Sequence, residues 1–240
     1  MRNFGIAVVL AAMSLACCNA ASAGGAATGV NPVIANCQNP RIDKDARIAS
    51  CDSLIHSNLA NGRMLGVFYA MRGQANLAKG DDTAAMQDYN EALNRFPDLP
   101  EALVNRARLY DSQGKLDLAL ADYDHAIKVR PADATALYAR CYERAEIHKD
   151  MDGAIADCSE AIRLEPSNTA FRLMRGQVYA MMDRCADAIA DFDAVIAAKP
   201  NDGAAYSNRG ICRHNTGDEA GAKADSDKAE SLEGKATPDR

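Results

Sequence analysis

The chain has 240 residues, of which 48% are hydrophobic and 25% are charged, and its formal net charge is −6. This balance is typical of a folded protein of one domain or two. The sequence contains no cluster of Lys and Arg, whereas nucleic-acid binding and attraction to an anionic membrane surface both depend on a basic face. The composition therefore argues against a nucleic-acid partner.

Residues 1–23 are predicted to be a secretory signal peptide. A short positive start, MRN, precedes the apolar run FGIAVVLAAMSLA and the small residues Ala21-Ser22-Ala23 of a cleavage site. The apolar run is too short to cross a membrane comfortably, so we predict export without membrane insertion. The alternative is a lipoprotein leader anchored at Cys17, although Ser14 stands where such a leader prefers leucine.

The cysteines agree with export. Without the leader, an even number remains, as expected for disulfides in an oxidising compartment. No CxxC pair and no Cys/His cluster occurs, so we predict no metal site and no cofactor. The remaining cysteines are Cys37, Cys51, Cys141, Cys158, Cys185 and Cys212.

Residues 24–65 are predicted to form a lead-in and a short N-terminal helical hairpin. The segment 24–36 is rich in Gly and Ala and reads as flexible. The second helix of the hairpin is RIASCDSLIHSNL, which places Ile48, Cys51 and Leu54 on one face. Asn61-Gly62 then marks a break.

From Gly66 the sequence repeats with a period of 34 residues, and one copy has 35. The copy 100–133 is the plainest, with two amphipathic stretches broken at Gly114 and closed by Pro131. A single helical hairpin cannot bury its apolar face, so the copies are expected to stack on each other. The predicted units are 66–99, 100–133, 134–168, 169–202 and 203–236, followed by a disordered tail at 237–240.

Two positions of the repeat carry the same kind of residue in every unit, and a third does so in three of the five units. Position 8 is small, as Gly73, Ala107, Cys141, Gly176 and Gly210. Position 20 is always alanine, as Ala85, Ala119, Ala154, Ala188 and Ala222. Position 24 is large in three units, as Tyr89, Tyr123 and Phe192, and becomes Cys158 and Ser226 in the others. Small residues at 8 and 20 let two helices approach closely, and the bulky residue at 24 fills the adjoining gap.

This pattern resembles the tetratricopeptide repeat (TPR) family over nearly all of the chain that follows the leader. The resemblance implies an all-α fold, a right-handed α-α superhelix (TPR solenoid) of about five repeats preceded by a short disulfide-stapled helical hairpin. The fifth unit, with charges around most of its second helix, is predicted to be a soluble cap. Together with the leader, a likeness to exported bacterial repeat proteins favours a periplasmic or secreted location.

An Arg and an Asp also recur in every unit, immediately before positions 8 and 24. We predict that they pair and form a ladder along the repeats. The competing interpretation is coincident surface charge, which contributes only about 0–1 kcal/mol per exposed pair. The pairs are Arg72–Asp88, Arg106–Asp122, Arg140–Asp157, Arg175–Asp191 and Arg209–Asp225.

Positions 8 and 24 lie on facing helices of one TPR hairpin, so the resemblance makes a Cys141–Cys158 disulfide plausible. Cys51 takes the place of position 24 in the N-terminal hairpin, which favours Cys37–Cys51. Elimination leaves Cys185–Cys212. Buried free thiols are the alternative.

No catalytic residues are predicted, and the protein is expected not to be an enzyme. His56, His125, His148 and His214 fall at unrelated positions of the repeat and show no metal-ligand spacing. The Asp pairs of ADYDHA and ADFDA belong to the repeat itself, where a catalytic carboxylate would not recur in copy after copy.

The resemblance implies that the first helices of the repeats line a concave groove that holds a peptide or a partner's helix. The family's carboxylate-clamping lysines are missing here, so we expect a hydrophobic or amphipathic ligand. The implied function is a non-enzymatic scaffold or adaptor. The alternatives are an accessory subunit that docks in a cell-envelope assembly through its convex face and, third, an envelope enzyme. The predicted groove residues are Val104, Asn105, Arg108, Tyr138, Tyr142, Leu173, Gln177, Met181, Asn208 and Ile211.

Overall fold

A computed structural model describes residues 32–57, 60–147 and 150–233. Within these ranges the chain forms twelve helices and no strand, so the all-α prediction is confirmed. The predicted signal peptide with Cys17, the first part of the lead-in, His148 and the tail 237–240 lie outside the described residues. No helix in the described ranges is both long and apolar enough to span a bilayer.

The helices belong to two compact units that join between Gln113 and Gly114. In the first unit each helix packs against the next, and a core of Cys37, Cys51, Leu54, Phe68 and Met71 holds the N-terminal hairpin on the helix that follows it. The helices of this unit are α1 (Pro32–Gln38), α2 (Lys44–Ile55), α3 (Gly62–Lys79), α4 (Asp82–Arg95) and α5 (Pro100–Ser112).

The second unit also packs each helix against its neighbours in the chain. Separate clusters of buried side chains lie along it, one around the Cys141 and Cys158 sulfurs and another around Phe192. Its helices are α6 (Leu116–Val129), α7 (Ala134–Glu146), α8 (Met151–Leu164), α9 (Thr169–Met181), α10 (Cys185–Ala198), α11 (Gly203–Asn215) and α12 (Glu219–Glu233).

Helix starts follow local capping chemistry. Asp133, Asn168 and Asp202 accept hydrogen bonds from the first backbone N–H groups of α7, α9 and α11. Helix α5 instead begins at Pro100, whose missing N–H costs nothing at the first helical position. The same rule explains why α1 begins at Pro32, so that the end of the predicted flexible lead-in is helical.

The small residues at position 8 permit close contact between paired helices. A Cβ on Gly176 of α9 would lie 2.6 Å from the Phe192 ring of α10, and a Cβ on Gly73 of α3 would lie 2.8 Å from the Tyr89 ring of α4. Both rings are fully buried. The aromatic residue at position 24 therefore occupies the space that the glycine leaves open.

Gly176→Ala is expected to destabilise the protein by about 1–3 kcal/mol, because a buried ring cannot yield to the added methyl group without moving the helices apart. Urea unfolding followed by circular dichroism measures this change. Gly203→Ala is the matched control, since its Cβ would meet nothing closer than 3.8 Å. Equal stability of Gly176→Ala and wild type would contradict the close approach.

Candidate protein-interaction surface

The first helices of successive repeats lie side by side within each unit. In the second unit α7 contacts α9 and α9 contacts α11, and in the first unit α3 contacts α5. This arrangement gives each unit a continuous face of first-helix side chains. Its rigidity depends on how the repeats are fastened together.

In four repeats, the arginine at position 7 joins the first helix to the second helix of the same repeat. The guanidinium groups of these arginines donate to buried aspartates, and four of the predicted pairs are confirmed. The N–O distances are 2.7 Å for Arg72–Asp88, 2.6 Å for Arg140–Asp157, 2.7 Å for Arg175–Asp191 and 2.6 Å for Arg209–Asp225. Arg106 and Asp122 belong to different units. Hydrogen bonding to Asp88 is the main influence that raises the pKa of Arg72, as expected for a charge-assisted pair.

All five arginines at position 7 also reach the preceding hairpin, a contact that the sequence analysis missed. The Nη1 atom of each donates to the residue at position 25 of the hairpin before it, or to Asp52 in the N-terminal hairpin. The acceptors are Asp52, Asn90, Asp124, Ser159 and Asp193, at 2.6, 2.9, 2.7, 3.0 and 2.5 Å respectively. The signal was present in the sequence, because every one of these positions carries an oxygen acceptor. One guanidinium group thus joins two successive hairpins.

In the second unit, several predicted surface residues are shared with the core. Tyr138 and Tyr142 are half-buried and pack against the cluster around Cys141. The Tyr138 ring centroid lies 5.1 Å from that of Phe171. Leu173 packs against the cluster around Phe192. These three side chains serve packing as well as any surface.

Two other predicted residues of this unit are open to solvent. Met181 at the end of α9 is 46% exposed and Ile211 in α11 is 57% exposed. Gln177 lies one helical turn before Met181, and Asn208 lies one turn before Ile211; both are half-buried. Asn208 donates to the Ala204 carbonyl of its own helix. The exposed part of the face therefore combines large apolar side chains with polar ones.

Ile211 borders an open cleft of about 340 Å³ between α11 and α12. One side of the cleft is apolar, whereas His214 Nδ1 and Glu219 Oε2, 3.0 Å apart, form its polar side. The lining residues are Gly210, Ile211, His214, Glu219, Ala222, Lys223 and Ser226.

In the first unit, the predicted residues lie on α5. Val104 is buried, Asn105 donates to the Glu101 carbonyl, and Arg108 is half-buried. Arg108 occupies position 9, like Gln74 on the adjacent α3. Among the described residues no group of three or more His, Cys, Asp or Glu side chains could hold a metal ion.

Two cysteine pairs lie at bonding distance. The sulfur atoms of Cys37 and Cys51 are 2.08 Å apart, and those of Cys141 and Cys158 are 1.99 Å apart. The first pair joins α1 to α2 and the second joins α7 to α8. Each of the two cysteine pairs therefore links the two helices of one hairpin.

The third predicted disulfide, Cys185–Cys212, is not formed in the structure. Both residues are buried free thiols. Cys185 is the first residue of α10 and Cys212 lies within α11, and the packing of these two helices places both thiols in one buried cluster. Pairing the two cysteines that the other predicted disulfides left over therefore identified two residues of one buried cluster. Residues that share a cluster do not necessarily hold their sulfur atoms at bonding distance.

Burial is the main cause that raises the pKa of Cys212, to about 12, with a further contribution from the Cys185 thiol. At pH about 9 we expect iodoacetamide to modify Cys212 more slowly in the native protein than in urea by a factor of several hundred (roughly the ratio of the thiolate fractions), because only the thiolate reacts. Because the folded pKa is raised, the stabilisation from this thiol is complete below the unfolded value of about 8.5 and is lost as pH rises towards 12. Mass spectrometry of quenched samples measures the rates. Equal rates in both states would contradict the burial of this thiol.

Successive helical hairpins, small residues at each crossing and first helices side by side define a helical-repeat protein. The models of the tetratricopeptide repeat match residues 104–169 and 173–230, and also residues 67–99. The chain therefore belongs to the tetratricopeptide repeat family, whose fold is suited to protein or peptide partners. No curated protein matches it.

Several solved structures share the fold. One is the crystal structure of MamA, whose sequence is 24% identical to this one. The match covers 68% of this chain and 95% of the MamA chain, with a TM-score of 0.63. A tetratricopeptide repeat protein from Parabacteroides merdae is 23% identical and covers 79% of this chain and 73% of its own, with a TM-score of 0.66. YrrB, described as a TPR protein with an unusual peptide-binding site, is 17% identical, covers 76% of this chain and 91% of its own, and has a TM-score of 0.67.

Proposed function

We propose that this protein is a non-enzymatic scaffold that binds a peptide or a partner's helix across its first helices. The observation that carries the proposal is the exposure of Met181 on α9 and of Ile211 on α11. These two helices lie side by side and contact each other. Large apolar side chains that are exposed on neighbouring helices of one face are candidate contacts for a partner. YrrB, a similar structure, has a peptide-binding site.

The chemistry of this face favours an amphipathic ligand. Apolar anchors supply most of the binding energy at protein interfaces, and surrounding polar groups fix orientation. Met181 and Ile211 are the available anchors, and Gln177 provides an amide beside them. A helix or extended segment with apolar residues on one side fits this arrangement.

A second candidate function is docking through the second helices, as an accessory subunit of a cell-envelope assembly. Leu118 and Val129, both on α6, are exposed large apolar side chains. They belong to a second helix of the repeat, so a partner that covered them would approach the other face of the protein.

Paired substitutions separate the two candidates. Met181→Asp/Ile211→Asp is expected to abolish capture of the partner in a crosslinking pull-down from the native compartment, whereas Leu118→Asp/Val129→Asp is expected to leave it unchanged. All four side chains are exposed, so each substitution is expected to alter stability by no more than about 0.5 kcal/mol. The reverse pattern would establish docking through the second helices instead.

We further propose that the protein is exported, with its leader removed, into an oxidising compartment such as the periplasm. The leader supports this location through its positive start, its apolar run and its small residues at the predicted cleavage site. The two cysteine pairs at bonding distance also support it, since disulfides persist in such compartments. Cell fractionation tests it. Palmitate labelling tests lipidation, and incorporation at Cys17 would contradict soluble export.

A further inference from the structure

Arg47 on α2 is buried without a carboxylate partner. Only 8% of the residue is exposed, and no other arginine in the described ranges is as deeply buried. Its Nε donates to the Cys37 carbonyl at 2.9 Å, and its Nη2 donates to Gln74 Oε1 at 3.2 Å. Both acceptors are neutral. Four of the arginines at position 7 of the repeats, by contrast, each pair with a buried aspartate.

A buried cation without a counter-charge is costly, and buried charges are ordinarily paired. Burial lowers the pKa of Arg47, although an arginine remains charged at neutral pH. The carboxylate of Asp88 acts on nearby Tyr89, but its oxygens already accept from Arg72 and Asn76. The positive charge of Arg47 therefore has no neutralising group among the described residues.

Two more donors lie in the same region. Tyr89 on α4 is fully buried, and its hydroxyl has no hydrogen-bond partner within the described chain. Burial raises the pKa of this phenol, so it is a neutral donor and supplies no negative charge. The Tyr89 ring packs against Gly73, which precedes Gln74 on α3, and the positive charges of Arg47 and Arg108 both act to lower the pKa of the Tyr89 hydroxyl. Tyr89 therefore lies in the same region as Arg47, Gln74 and Arg108.

Arg108 gives this cluster of four residues an open side. It is half-buried on α5 and makes no hydrogen bond or ion pair with any described residue. Gln74 holds the same repeat position on α3, which contacts α5. Because Gln74 accepts from Arg47 through its oxygen, its amide NH₂ remains as a further donor. The cluster thus presents guanidinium, amide and hydroxyl donors and no anion.

We propose that Arg47, Gln74, Tyr89 and Arg108 form an anion subsite that binds a carboxylate of the partner segment. The guanidinium fork of Arg108 matches a carboxylate in a bidentate geometry, and the more deeply buried Arg47 supplies a second positive charge. This inference rests on the proposed function, because the carboxylate belongs to the bound peptide. It adds an acidic residue to the apolar anchors expected of the ligand.

The test selects peptides from a random phage-display library on the mature wild-type protein and on Arg108→Gln. Wild type is expected to enrich sequences with an Asp or Glu beside apolar residues. Arg108→Gln is expected to retain the apolar preference and lose the acidic one. Arg95→Gln is the control, because it removes one exposed positive charge from the same unit and has no role in the cluster.

Synthetic versions of the selected peptides then give affinities by fluorescence anisotropy. Replacing the acidic residue with its amide is expected to weaken binding to wild type about tenfold to a hundredfold, the usual loss for one charge-assisted hydrogen bond, and to leave Arg108→Gln unaffected. Peptides with a free or an amidated C-terminus distinguish a terminal carboxylate from a side chain. Equal binding of acidic and amide peptides to wild type would overturn the subsite but leave the peptide-binding function intact.

A measurement that needs no peptide decides the remaining case. If no sequence is enriched, the proposed function fails, and the subsite is tested by NMR of the arginine Nε–Hε groups during titration with sodium acetate, phosphate or chloride. Saturable shifts of the Arg47 and Arg108 signals with acetate in wild type, together with loss of the Arg47 shift in Arg108→Gln, support the subsite. Unmoved signals, or shifts with phosphate alone, would overturn it.

Discussion

Asp157→Ala is expected to lower the free energy of unfolding by about 3–5 kcal/mol, because it removes the buried carboxylate that two largely buried arginines share. The Asp157 side chain is almost fully buried. It accepts from Arg140 at 2.6 and 2.8 Å and from Arg144 at 2.9 Å. Alanine is a good helix former, so the loss reports the charge cluster rather than the propensity of α8.

A double-mutant cycle with Arg140→Ala isolates the pair, measured by urea unfolding at constant pH and salt. We expect a coupling of about 2 kcal/mol, in the range found for residues within one charge network. Arg163 and Glu160 provide the matched control on the same helix, since their contact of 2.6 Å is exposed and should couple by about 0–1 kcal/mol. Additive effects of Asp157→Ala and Arg140→Ala would show that the ladder is surface charge.

Cys141→Ala/Cys158→Ala is expected to destabilise the oxidised protein by about 3 kcal/mol, the chain-entropy value for a loop of this length. The sulfur atoms lie at bonding distance across the α7–α8 hairpin, and both residues are fully buried. Lost packing of the two sulfur atoms adds to the effect. Thermal unfolding without reductant measures the change.

The control is the same comparison in the presence of a phosphine reductant. Both proteins carry Cys37→Ala/Cys51→Ala, so that they differ only in whether Cys141 and Cys158 are present. Reduction should remove most of the difference in stability between them. A difference that reductant does not change would mean that the stability comes from packing of the thiols alone.

Much of the fold was predictable because one repeat constrains all its copies. Gly176 facing Phe192 follows from the size pattern at positions 8 and 24, and the Arg140–Asp157 contact follows from strict co-occurrence. Features that depend on the relation of one hairpin to the next were missed. The Arg140–Asp124 contact is of this kind, since the acceptor at position 25 varies among Asp, Asn and Ser.

Less of the interaction surface was predictable. Repeat position tells which side of a helix a residue occupies, but it does not tell how a side chain divides its area between core and solvent. Tyr138 is therefore partly a core residue, whereas Ile211 is open. Arg47 was missed because it lies outside the repeats, although it interrupts the apolar stripe that continues through Cys51 and Leu54. A charge in such a stripe was the available signal.

The most direct test of the proposed function maps where the partner touches the protein. A photo-crosslinking amino acid replaces Gln177 on the first helix α9 or, as the matched control, Ala190 on the exposed side of the second helix α10. After irradiation in the native compartment, we predict a partner adduct from position 177 that Met181→Asp/Ile211→Asp removes, and no adduct from position 190. An adduct from position 190 with none from position 177 would contradict binding across the first helices.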